Sequence, residues 1–250
     1  MSFEVDITKE DLEKYFLELA KAYKRAAKKN ALKLEIVLIG GAAILLNYRF
    51  RISTTDVDGL FLMPDVFKDA IKIVAEKFNL NPQWLNTDFV KSSSYSDQLR
   101  INSVFYQDYL NVISVRTIRA EYLVAMKLVA GRMHKNDISD IIGILHESRK
   151  NNEPLSVDRI KEAVLTLYGT LDKVSTTTWK LFNQIIENGD YESLFLQYRQ
   201  EEIENQAALI DFRKNATERL TKEDLDEILR SIQKKREQEK SDRLGIKNEE

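Results

Sequence analysis

The sequence predicts an α+β protein: a small mixed β-sheet with helices, followed by an all-helical C-terminal region. Three observations carry that expectation. Short β-branched and leucine-rich runs that read as strands occur only before about residue 117. Beyond Pro154 every apolar pattern has helical spacing. Three prolines and eight glycines in 250 residues leave room for long helices and few elaborate loops. The expected division is an α/β core over residues 1–117 and a helical domain over residues 118–250.

Each element has its own signal. Thr8-Lys9-Glu10-Asp11 is a capping-box-like start, and Leu12, Tyr15, Phe16, Leu19 and Tyr23 follow at helical spacing. Leu34 to Ile39 is a buried strand that runs into Gly40-Gly41, and Ala42 to Tyr48 is a compact helix directly after it. Asp56 to Met63 reads as a second strand and Phe67 to Phe78 as a helix, while Ile101 to Phe105 and Leu110 to Val115 are further strands. Tyr122, Leu123, Met126, Leu128 and Val129 make an apolar helix, and Asp137 to His146 another. Helices are then expected over Val157 to Tyr168, Thr176 to Glu187 and Tyr191 to Arg213, with a last one starting at Thr221.

Composition narrows the chemistry. The chain is 43% hydrophobic and 31% charged, as in a soluble globular protein, and its net charge is −2, so any nucleic-acid surface must be local. There is no cysteine, which excludes disulfides, thiolate metal sites and a cysteine nucleophile. With only His134 and His146, a histidine-rich zinc site is not expected. The N-terminal stretch lacks the apolar core of a signal peptide, and the longest apolar run, Ile36 to Leu46, is too short to span a bilayer. A cytoplasmic location without membrane contact is the expectation. Carboxylates, lysine, arginine and hydroxyls remain to do chemistry.

Those groups concentrate in one stretch. A strand delivers Gly40 and Gly41 to the start of a helix, where free N–H groups favour an anion. The next strand carries Asp56 and Asp58, which point to the same face because strand side chains alternate. Two converging carboxylates repel each other, and a divalent cation relieves that repulsion. A phosphate cradle beside a carboxylate pair suits metal-assisted nucleotide chemistry.

The stretch resembles the nucleotidyltransferase superfamily related to DNA polymerase β. Arg51-x-x-Thr54-x-Asp56-Val57-Asp58 is similar to the form found in minimal bacterial members. Trp84-Leu85-Asn86-Thr87-Asp88 resembles a segment of a branch near the AbiE-type toxins. Glu121 to Leu128, with Arg132, Asp137, Asp140 and Ile141, resembles the helix pair of the same branch. The likeness covers roughly residues 36 to 147.

The resemblance implies roles. Gly40 and Gly41 would cradle the nucleotide phosphates, with Arg51, Thr54 and Lys127 completing the nucleotide site. Asp56 and Asp58 would bind Mg²⁺ (or Mn²⁺), with Asp88 as the expected third metal carboxylate and Asp108 as the second candidate. Asp137, or Asp140, would stand behind Lys127 as part of the catalytic set. The implied activity is transfer of a nucleoside monophosphate from an NTP to an acceptor, RNA or tRNA, in a toxin–antitoxin or phage-defence setting with an antitoxin partner. The alternatives are an antibiotic-type small-molecule transferase and a non-catalytic interaction protein that keeps the fold. Ala42 stands where many relatives carry serine. Trp84 is expected in the core. The basic face of Lys21, Lys24, Arg25, Lys28 and Lys29 is expected to be solvated, unless it borders the cleft and holds RNA backbone.

Overall fold

The structure, a computed structural model, describes residues 5–132 and 136–215. His134 and the helix expected from Thr221 lie outside the described residues. The elements run α1 (Lys9–Ala27), β1 (Leu34–Leu38), α2 (Gly40–Asn47), β2 (Val57–Leu60), α3 (Asp65–Phe78), β3 (Leu85–Asn86), α4 (Gln98–Ile101), β4 (Ser103–Tyr109), β5 (Ile113–Ile118), α5 (Ala120–Ala130), α6 (Asp137–Lys150), α7 (Val157–Tyr168), α8 (Thr176–Asn188) and α9 (Tyr191–Asn215).

The α+β expectation holds. Five strands form one mixed sheet in the order β3-β2-β1-β5-β4. The β1–β2 and β4–β5 pairs are antiparallel, whereas β1–β5 and β2–β3 are parallel. Helix α1 starts as its sequence demands: the Thr8 hydroxyl oxygen accepts from the Asp11 amide at 3.2 Å, and the Asp11 carboxylate accepts in return from the Thr8 amide. Buried side chains from the strand-bearing part and from the helices beyond residue 118 form one continuous apolar core.

Three of the expected strands shift. Strand β2 covers Val57–Leu60 instead of 56–63: Asp56 precedes it, and after Leu60, the partner of Val37, the chain leaves β1 and turns to Pro64, the residue capping α3, although β1 extends back to Leu34. The predicted strand at 101–105 lies over 103–109, and the one at 110–115 over 113–118. The hairpin turns at Leu110 and Asn111, whose φ values are 49° and 56°. A leucine in that conformation carries no turn signal in the sequence. Among the described residues no helix is long and apolar enough to cross a membrane.

Candidate active site

The site begins where β1 ends. The Ile39 amide donates to the Asp58 carbonyl at 3.1 Å, so the glycine turn and the carboxylate strand are in register. The two glycines are required for different reasons. Gly40 has φ +56° with open space where a Cβ would sit, so its backbone conformation, not its surroundings, favours glycine. Gly41 is required for space: a Cβ there would lie 2.8 Å from both Arg51 Nη2 and Thr54 Oγ1. The N-cap residue Ile39 has no side-chain acceptor for the first amides of α2. Thr54 is buried, pairs its backbone with Ile7, and donates its hydroxyl to the Asp56 carbonyl at 3.1 Å. That fixes the chain just before the pair. Asp56, just before β2, is exposed; Val57 is buried and Asp58, the second residue of the strand, is half-buried.

A buried ion network backs this turn. Lys127 Nζ lies 2.9 Å from Asp137 Oδ1 and 2.8 Å from Asp140 Oδ2. Arg51 Nη1 meets Asp140 Oδ2 at 2.6 Å, and Arg132 Nε meets Asp137 Oδ2 at 2.9 Å. The network therefore runs Arg51–Asp140–Lys127–Asp137–Arg132. Burial pushes the Lys127 ammonium towards its neutral form, but the charges of Asp137 and Asp140 outweigh burial and hold its pKa above the usual lysine value. Burial likewise pushes the Asp137 carboxyl up, and Lys127 and Arg132 overcome it, holding Asp137 well below the usual carboxylate range. Arg132 also feels the charges of Asp58, on β2, and of Asp56, just before it.

Among the described residues, Arg51, Lys127 and Arg132 hold Asp137 and Asp140, and Arg132 also feels the charges of Asp56 and Asp58. Two carboxylates are what Mg²⁺ uses when substrate phosphates and water complete its shell, and among the described residues no group of three or more His, Asp or Glu forms a protein-only metal cage. The donor set fits a metal that arrives with its nucleotide.

A family model described as a nucleotidyltransferase of unknown function (DUF6036) matches residues 14–164, more than half of the chain. The chain belongs to this family. The match agrees with the superfamily that the motifs resembled; it does not name the AbiE-type branch. No curated protein and no solved structure matches the chain. The DUF6036 segment contains the glycine turn, the carboxylate pair and the whole ion network, and it ends within α7.

The other expected residues of the DUF6036 chain have their own surroundings, and Asp88 lies two residues beyond Asn86, the strand partner of Asp58. Asp88 follows β3 and pairs with Lys91 at 2.7 Å, its side chain 62% exposed. It helps line an open cavity of about 230 Å³ with Lys68, Ile71 and Asn86. Asp108 sits on edge strand β4 and pairs with Lys33 at 2.7 Å. Strand β5, which flanks β1 opposite β2, carries no carboxylate. Trp84 is in the core, as expected: it is 2% exposed, stands edge-on to Tyr15 and donates to the Ile71 carbonyl. His146 is half-buried on α6. The basic residues Lys24, Arg25, Lys28 and Lys29 close α1 just before β1 begins, whereas the glycine turn follows the other end of that strand. About 17 Å of strand separates the two.

Three residues escaped the sequence reading as site members. Arg132 stands in the helix-pair motif without an expected role, and the structure pairs it with Asp137, five residues on. Glu147 accepts the amides of Arg49 and Phe50 and so clamps the loop that carries Arg51. Glu202, on α9, accepts the amides of Ile138 and Ser139 at the start of α6. The last two have no local signal, because their partners are distant in sequence.

Proposed function

We propose that this DUF6036 protein transfers a nucleoside monophosphate from an NTP to an acceptor, with RNA, such as a tRNA end, as the acceptor. The observation that carries the reading is the junction of the open glycine turn with the Asp56–Asp58 pair, backed by buried Lys127. Mg²⁺ (or Mn²⁺) would be held by Asp56 and Asp58, where it supplies charge neutralisation of the triphosphate. Gly40 and the first amides of α2 receive phosphate oxygens. Lys127 and Arg132 offset the charge that builds on the leaving pyrophosphate. The acceptor hydroxyl oxygen bonds to the α-phosphorus, the bond to the bridging oxygen breaks, pyrophosphate leaves, and the hydroxyl proton passes to solvent.

The AbiE-like spacing of Lys127, Arg132, Asp137 and Asp140 supports a toxin–antitoxin or phage-defence setting with an antitoxin partner and a cytoplasmic location. An antibiotic-type small molecule is the other acceptor class. One observation favours a second reading. Because β5 lacks a carboxylate, no acceptor base is supplied from that strand, which suits a non-catalytic interaction protein of the same fold.

Nucleotide-dependent melting separates the readings. A stabilising shift that needs both NTP and Mg²⁺, and that vanishes in Asp56→Ala/Asp58→Ala, is the expected result. No shift at millimolar nucleotide would sink the enzyme reading. Incubation with labelled NTP and total RNA then assigns the acceptor: label in RNA is expected, and label in small molecules moves the assignment to the antibiotic-type class.

A further inference from the structure

We infer that Glu202 of α9 is a positioning residue for the nucleotide site: it holds the first turn of α6 and thereby sets Asp137 and Asp140, the two carboxylates that fix Lys127. This rests on the nucleotidyltransferase reading and extends it to a helix outside the matched segment, which ends at residue 164.

The first amides of a helix have no partner within it. In α6 the N-cap residue Asn136 gives no side-chain bond. The cap instead comes from far away. Glu202 Oε1 accepts from the Ile138 amide at 3.0 Å and from the Ser139 amide at 3.1 Å, and Oε2 accepts from the Ser139 hydroxyl. Glu202 is only 4% exposed. The capped residues lie between Asp137 and Asp140, so the grip falls on the turn that carries both partners of Lys127.

Burial makes the charge of Glu202 a cost, pushing its carboxyl up to about 7 against the opposing pull of the Ser139 hydroxyl and the α6 amides. What the site requires of Glu202 is reach. A glutamine can supply it: its carbonyl oxygen accepts from both amides in place of Oε1, and its NH₂ donates to the Ser139 oxygen in place of Oε2. An aspartate keeps the charge but is one methylene too short. If α6 shifts, Asp137 and Asp140 move relative to Lys127, and small displacements of positioning groups are costly.

The test compares wild type, Glu202→Gln and Glu202→Asp in the full-length protein. ATP, GTP, CTP and UTP with Mg²⁺ are titrated in turn by calorimetry well below the melting point, and melting without nucleotide is recorded for each variant. Glu202→Gln is expected to bind within about threefold of wild type and Glu202→Asp about tenfold or more weaker, the usual scale for a lost supporting contact. Three results overturn the inference: an aspartate variant that binds like wild type, a glutamine variant weakened as much as the aspartate one, or a loss of melting temperature with no change in affinity. If Glu202→Asp does not fold, Ser139→Ala carries the test. It removes one donor and leaves the amides capped; a loss of about threefold or more supports the inference and unchanged affinity overturns it. A wild type that binds no nucleotide overturns both this inference and the nucleotidyltransferase reading. A wild type that binds, with an aspartate variant that matches it, overturns this inference alone.

Discussion

Gly40 and Gly41 are adjacent and do different work, so their substitutions should differ in kind. Gly40→Ala forces a side chain into φ +56° in open space and is expected to cost about 1 kcal/mol while leaving Arg51 in place. Gly41→Ala puts a methyl against Arg51 and Thr54 and is expected to weaken nucleotide binding more than it lowers the melting temperature. Lys127 is a stricter case. Its removal, as in Lys127→Met, leaves Asp137 and Asp140, 1% and 3% exposed, with Arg132 and Arg51 as their charged partners among the described residues. A loss of about 3–5 kcal/mol is expected in chemical denaturation, the scale for breaking a buried pair from one side. The sign of the pH effect follows from the same pair. The Asp137 pKa lies below its unfolded value of 3.8, so its stabilisation is present above about pH 4 and is lost as pH falls.

At the scale of elements, α6 is the support of the site, held from two sides. The loop between α2 and β2 is clamped to it by Glu147, and the Phe50 ring lies over Gly143 and edge-on to Phe195 of α9. A Cβ on Gly143 would come within 2.7 Å of that ring. Gly143→Ala is therefore expected to cost about 1–3 kcal/mol and to reduce nucleotide affinity through Arg51, measurable by melting and calorimetry together. Contact with α9 gives a second pH dependence of opposite sign. Glu202 faces Asp140, which is itself paired with Lys127 and Arg51, as well as the Ser139 hydroxyl and the α6 amides. Its pKa rises from 4.5 unfolded to about 7 folded, so stability is expected to fall as pH climbs from about 4.5 to 7. Glu202→Gln should flatten the melting temperature across that window, while the decline below about pH 4 remains.

At the scale of the whole molecule, charge is sorted by position. The exposed cations at the end of α1 lie one strand length from the glycine turn, on the side where β1 begins. Reversing Lys24, Arg25, Lys28 and Lys29 to glutamate is expected to leave nucleotide affinity within about twofold, because exposed charges at that range are largely screened. A large loss would show that this end of the molecule meets the ligand.

Much of this was legible in the chain. The capping box at Thr8, the run from Leu34 into Gly40, and the helical stretch around Lys127 all follow from backbone periodicity and hydrogen bonds that close within a few residues. The hairpin turn was not legible, because Leu110 adopts a conformation that its side chain does not advertise. The sequence by itself therefore determined the α+β order, the glycine turn and the carboxylate pair. Only the tertiary structure decided that Arg51 meets Asp140 across 89 residues, that Arg132 faces the Asp56–Asp58 pair, and that Glu202 caps a helix 63 residues earlier in the chain. The reason is physical. Periodicity acts between neighbours in sequence, whereas a buried charge takes whatever partner packing brings within reach, and no local pattern records that partner.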